Sequence, residues 1–132
     1  MYIADNGILH ALLNIRDFNQ LLGHPIYGYS FEGLVIRNIM QMFRGFSYSF
    51  YKTSHGAEVD LVMEGQGKCF AIEIKANSTP NISRGFWNAI EDLKADEAWV
   101  IAWVKQRAPL AKNVYLSNLS DFCQYLISSG YV

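Results

Sequence analysis

Apolar and polar residues alternate over residues 57–61 and, with Ala71 the exception, over residues 70–75. In the first run Ala57, Val59, Leu61 and Met63 fall on one face, and Glu58 and Asp60 fall on the other. In the second, Phe70, Ile72 and Ile74 share one face, while Ala71, Glu73 and Lys75 share the other. Strand side chains alternate with period two, so both runs predict β-strands. Glu64-Gly65-Gln66-Gly67-Lys68 separates them and predicts a hairpin loop of about three to five residues. Pairing of the two strands would bring Asp60, Glu73 and Lys75 together.

The rest of the chain supplies helices and further strands. Residues 8–15 read as a short helix after the Asp5-Asn6-Gly7 turn, with Asp5 as its cap, followed by loop through Leu22-Gly23-His24-Pro25. Phe31 to Phe46 read as a helix with Ser30 as N-cap. Its inward face is expected to carry Glu32, Ile36, Ile39, Met40 and Phe43. Tyr48 to Thr53 read as a strand, and Ser54-His55-Gly56 as a turn. Ser78-Thr79-Pro80-Asn81 breaks the chain before a helix capped by Ser83, with Phe86, Ile90 and Leu93 inward. Ala98 to Val104 is wholly apolar, as a buried strand requires. A short strand at 113–116 precedes a last helix, Leu119 to Ser128, with Leu119, Phe122, Cys123 and Leu126 inward. The order α–α–βββ–α–β–β–α predicts an α/β (α+β) fold, a mixed central sheet flanked by helices.

The 132 residues, 51% of them hydrophobic, suffice for one packed domain. No apolar run is long enough to span a membrane, and no secretory signal pattern opens the chain. Cys69 and Cys123 are isolated and expected to be packed rather than bridged, which makes a reducing cytoplasm the default location. His10, His24 and His55 lack metal-ligand spacing.

Asp60, Glu73 and Lys75 carry the candidate chemistry. Mg²⁺ takes hard oxygen ligands and is commonly held by one or two carboxylates plus waters and substrate phosphate. A lysine two residues beyond a ligand stands on the same strand face, roughly 6.6–6.8 Å further along. From there its ammonium can meet charge that develops at a phosphoryl oxygen. Glu73 and Lys75 also fit a solvated ion pair of little energetic weight. Glu32 adds a third acid. It begins the expected inward stripe, where a lone charge is costly, although an acid in a first helical turn also suits the helix dipole.

Glu32, Asp60, Glu73 and Lys75 together resemble the motif set of the PD-(D/E)xK nuclease superfamily over about Gly28 to Val104. That resemblance implies a restriction-endonuclease-like αβββαβ core, here with an extra N-terminal helical segment. It also implies metal binding by Asp60 and Glu73, Mg²⁺ or Mn²⁺ as the ion, and catalytic roles for Glu32, Asp60, Glu73 and Lys75. The proline of the signature is absent, as Glu58-Val59 precedes Asp60. A closer resemblance spans nearly the whole chain. Asp5-Asn6-Gly7-Ile8, Gly28-Tyr29-Ser30-Phe31-Glu32-Gly33-Leu34-Val35, Phe50-Tyr51-Lys52-Thr53, Glu58-Val59-Asp60 and Ile72-Glu73-Ile74-Lys75 follow the order of a domain of unknown function. That domain forms the C-terminal part of many prokaryotic AAA+-type ATPases. Lys52 stands where that family commonly has arginine. The expected layout is one domain over 1–132: an N-terminal segment (1–27), a core (28–104), and a C-terminal strand and helix (105–132). No G-x-x-x-x-G-K-[ST] loop occurs, so an ATPase module is expected to lie outside this chain.

Two function classes follow. One is metal-dependent phosphodiester cleavage of nucleic acid; the other is a nuclease-shaped module that binds protein or nucleic acid without cutting. The net charge of −1, with 11 basic residues, opposes non-specific DNA binding, which rests on phosphate neutralisation. A local patch of Arg37, Arg44, Lys52, Lys68, Lys75 and Arg84 would offset it.

Overall fold

The structure, a computed structural model, describes residues 25–131, with side chains from residue 31 onward. The expected helix over 8–15 and the Asp5 turn lie outside the described residues. In chain order the elements are α1 (Pro25–Met42), β1 (Ser47–Lys52), β2 (Glu58–Gly65), β3 (Lys68–Ile74), α2 (Arg84–Leu93), β4 (Glu97–Ile101), β5 (Ala108–Ala111), β6 (Val114–Ser117) and α3 (Leu119–Ser128). The strands form one six-stranded mixed sheet in the order β1-β2-β3-β4-β6-β5. β1, β2 and β3 run as an antiparallel meander. β3, β4 and β6 run parallel, and β5 closes the sheet antiparallel to β6. The mixed sheet flanked by helices agrees with the expected fold class.

Two apolar layers hold the helices on. On one face Leu61, Met63, Phe70, Ile72, Ile74, Trp99 and Ile101 pack against Val35 and Ile39 of α1, Phe43 just beyond it, and Phe122 and Leu126 of α3. Trp99 meets Phe122 edge-on with ring centroids 5.1 Å apart. Both are fully buried, and side chains of this size contribute about 1.5–3 kcal/mol each by burial. On the other face Ala57, Val59, Val62, Ala71, Ala98 and Val100 pack against Phe86 and Ala89 of α2.

Several expectations are corrected. α1 begins at Pro25, whose fixed φ suits a first helical position, so Ser30 lies inside the helix and is not its cap. α1 also ends at Met42 rather than Phe46. Its last carbonyls are met by side chains instead: Arg44 Nε donates to Gln41 O at 3.2 Å, and the Tyr48 hydroxyl reaches Ile39 O at 3.4 Å and Phe43 O just past the helix. The buried stripe is Phe31, Val35, Ile39 and Phe43, while Glu32 and Met40 are exposed. The expected face was thus one residue out of phase. The β2–β3 connection is tighter than expected. Gly65 pairs with Lys68, and Gln66 and Gly67 both adopt positive φ (52° and 77°), the geometry of a two-residue type I′ turn. β4 stops at Ile101, not Val104. β5 is an additional strand, four exposed residues that carry Pro109 and no hydrophobic alternation.

The correction that matters most for function lies in β2. Ser49 pairs with Val62 and Tyr51 with Val59, so two steps along β1 span three along β2. The extra residue is a β-bulge at Asp60–Leu61. It splits the face expected to be continuous: Ala57 and Val59 pack under α2, whereas Leu61 and Met63 pack under α1 and α3.

Candidate functional site

β2 and β3 are paired from the hairpin as far as Leu61 and Ile72. One residue further the bulge re-aims Asp60. Its Oδ2 accepts the backbone N–H of Ile74 at 2.8 Å, so a carboxylate satisfies a donor at the end of β3. The next backbone N–H, of Lys75, donates to Ile101 O at 2.9 Å and keeps β3 fixed to β4. Glu73, between these anchors, is only 6% exposed. Lys75 Nζ lies 3.3 Å from Glu73 Oε2. Glu73 Oε1 is buried and has no hydrogen-bond partner. Asp60, Glu73 and Lys75 therefore converge at the C-terminal end of β3.

Electrostatics couple the acids, which burial and mutual repulsion penalise and Lys75 partly offsets. Burial, and after it the nearby Asp60 charge, raise the Glu73 carboxyl to about 7, with Lys75 and the Asp60 backbone N–H working against the rise. Burial also raises Asp60, opposed chiefly by the Ile74 N–H and then by Lys75. Glu32 is raised by partial burial and by the charge of Asp60, and lowered by Lys75. Glu32 is thus close enough to feel both Asp60 and Lys75, although it is not inward on its helix. No acid occupies the first turn of α1, so the helix-dipole explanation of Glu32 fails.

Among the described residues, no group of three or more His, Cys, Asp or Glu side chains is arranged to hold a metal ion. Asp60 and Glu73 nevertheless offer the hard oxygens that Mg²⁺ accepts through one or two carboxylates. An orphaned buried carboxylate oxygen is costly, and a cation would relieve it. The donor set fits a hard divalent ion completed by water and substrate oxygens.

The expected basic patch is divided. Lys52 pairs in register with Glu58, and Arg84 opens α2 beside Gly85, which packs on Gly56. Both stay near the end of the sheet that holds Asp60. Lys68 belongs to the β2–β3 turn at the opposite end of these strands, and Arg44 lies next to Gly45, which neighbours Gly65 of the same turn. His55 is exposed in the β1–β2 loop. The bulge and the Ile74 N–H anchor were not anticipated, because alternation alone does not reveal an extra residue in one strand.

A family model described as a domain of unknown function, DUF4143, matches residues 27–122. This range includes Glu32, Asp60, Glu73 and Lys75. Two relatives, described as uncharacterized proteins of Mycobacterium bovis and Mycobacterium tuberculosis, are each 35% identical over 114 residues, covering 86% of this chain and 26% of the relative. The chain thus spans about a quarter of the length of these curated relatives. No solved structure matches it.

Proposed function

The chain belongs to the DUF4143 family, and we propose that it is a divalent-metal-dependent phosphodiesterase domain acting on nucleic acid. On this reading the core is restriction-endonuclease-like and of PD-(D/E)xK type, and an AAA+-type ATPase module accompanies it in the longer protein. The observation that carries the reading is Glu73 Oε1, a buried carboxylate oxygen without a partner, beside a second carboxylate and a lysine.

Asp60 and Glu73 would hold Mg²⁺ or Mn²⁺. When bound, such an ion supplies charge stabilisation at a phosphoryl oxygen and an acidified water. The Ile74 N–H fixes the orientation of Asp60. Lys75, partly exposed and beside Glu73 Oε2, is placed to orient the nucleophile or to stabilise charge on the phosphoryl group. Glu32 adds negative charge at the rim, which favours cation entry.

A second reading is a non-catalytic module accessory to the ATPase, binding protein or nucleic acid. The net charge of −1 and the division of the expected basic patch favour it. Assays of single- and double-stranded DNA and RNA with Mg²⁺ or Mn²⁺ separate the two. We expect metal-dependent cleavage that falls about 10²–10³-fold in Lys75→Ala with the fold intact. Absence of metal-dependent cleavage, both by the chain alone and by the longer protein, would leave the binding module as the answer.

A further inference from the structure

β1 is the edge strand of the sheet on the side of the carboxylates. Phe50, in its middle, is 76% exposed, and no other large apolar side chain among the described residues is more than 44% exposed. An exposed apolar side chain standing alone is ordinary. Phe50 differs by its place. Ser49 pairs with Val62 and Tyr51 with Val59, so Phe50 stands opposite the bulge residues Asp60 and Leu61. Opposed Cα atoms of antiparallel strands lie about 4.5–5.5 Å apart. Phe50 is therefore the cross-strand neighbour of the first candidate metal ligand.

The strand that carries Phe50 is held on both sides. Tyr48 packs in the layer of α1 and α3, and its hydroxyl reaches Ile39 O at 3.4 Å. Tyr51 packs in the layer of α2, and its hydroxyl donates to Asp92 Oδ2 at 3.0 Å. Side chains alternate along a strand, so Phe50 shares the face of Tyr48. That face is also the face of Leu61, across the bulge.

This side of the sheet communicates with the whole carboxylate group. Asp60 reaches across to the Ile74 N–H at 2.8 Å, and β3 ends at Ile74. Glu32 comes from α1 and feels the charges of both Asp60 and Lys75. The end of β3 is thus open between the two helical layers, and Phe50 borders it on the α1 side.

We propose that Phe50 is a stacking platform for an unpaired base of the nucleic-acid strand whose phosphate meets Asp60, Glu73 and Lys75. This rests on the phosphodiesterase reading for the identity of the ligand. A phosphate held at the carboxylates brings its own nucleotide, or the next one, over whatever borders Asp60. The ring face offers a base apolar area and stacking; it offers a charged phosphate neither. Bases in a duplex are already stacked on one another, so the substrate class is single-stranded or locally unpaired nucleic acid. Every base has a π-face, so this contact selects no sequence.

The test compares Phe50→Ala, Phe50→Leu and Phe50→Trp with their parent, all carrying Lys75→Ala so that strands persist in Mg²⁺. Fluorescence anisotropy is read with a labelled single-stranded DNA of mixed sequence, its matched duplex, and a strand of the same length built of abasic nucleotides. Melting curves confirm each fold, which a change at an exposed position should leave intact. We expect the single strand to bind more tightly than the duplex or the abasic strand. Phe50→Ala and Phe50→Leu should weaken single-strand binding about tenfold, as loss of a stacking contact does, and Phe50→Trp should preserve it. Phe50→Leu equal to the parent, an abasic strand bound as tightly as the normal one, or no single-strand binding at all would overturn the proposal. Cleavage assays with Lys75 restored, at substrate well below saturation, separate the platform from the reading beneath it. Metal-dependent cleavage that Phe50→Ala leaves unchanged would reject the platform and keep the phosphodiesterase. Weakened binding in Phe50→Ala, with no metal-dependent cleavage by wild type alone or in the longer protein, would reject the phosphodiesterase and keep the platform.

Discussion

Glu73 is the residue on which the chemistry turns, and its burial has a measurable consequence. Its pKa, about 7, stands above the ordinary 4.5, so between these values the folded chain holds a proton that the unfolded chain has released. Stability should fall as pH rises through that window, and the loss should be complete above about 7. Glu73→Gln should therefore stabilise the domain at about pH 8, by about 1–3 kcal/mol, and flatten its pH dependence. Urea unfolding at about pH 5 and 8 checks this; a variant less stable than wild type at both would mean that the buried charge is not penalised. A divalent cation should relieve the same penalty. Saturating Mn²⁺ should raise the melting temperature of wild type by about 5–10 °C, and leave Asp60→Asn unmoved. Equal shifts in both proteins would place the ion elsewhere.

At the scale of elements, legibility followed how strongly each segment declares its buried face. α3 was read residue for residue, with Leu119, Phe122, Cys123 and Leu126 inward, because its apolar stripe is narrow and its flanks are polar. α1 was displaced because Leu34, Val35, Ile36, Ile39 and Met40 surround much of the helix, which leaves its rotation ambiguous in sequence. The bulge was invisible for a related reason: Leu61, Val62 and Met63 are all buried, so a change of face leaves no polar mark. β5 carries no apolar pattern at all, and only its pairing to β6 makes it a strand. The convergence of Asp60, Glu73 and Lys75 is legible because hairpin register is short-range, whereas the approach of Glu32 depends on helix phase, which the sequence leaves open. Two element-level tests follow. A Cβ on Gly85 would meet the backbone oxygen of Gly56 at 2.3 Å, so Gly85→Ala must push α2 off the β1–β2 loop. Denaturant titration should show a loss of about 1–3 kcal/mol, and an unchanged midpoint would contradict that contact. Asn118→Ala should cost about 1–2 kcal/mol in the same titration, through the lost α3 cap and the lost bonds to Val104 O and Lys105 O. An unchanged midpoint would mean that the cap and the loop tether contribute nothing.

For the whole molecule, the combination of net charge −1 and a site at one sheet edge sets how nucleic acid would be held. Few phosphates can be neutralised at once, so the dependence of binding on salt should be shallow, with a log–log slope of about −1 to −3. A steeper slope, measured by anisotropy across salt concentrations, would mean that the lysines and arginines act together as one basic surface. Among the described residues, no helix is long and apolar enough to cross a membrane. The sheet also ends in β5, a four-residue strand exposed at every position, whose outer row of peptide groups faces solvent. Such an edge invites cross-chain pairing and self-assembly, and proteins commonly blunt it with proline, irregular register and brevity. Pro109 removes one peptide donor here, and the register shift between Pro109 and Ala111 bends the strand. Colloidal behaviour should then hinge on one imino acid: Pro109→Val would leave melting nearly unaltered yet make concentrated solutions scatter light and form filaments that wild type does not.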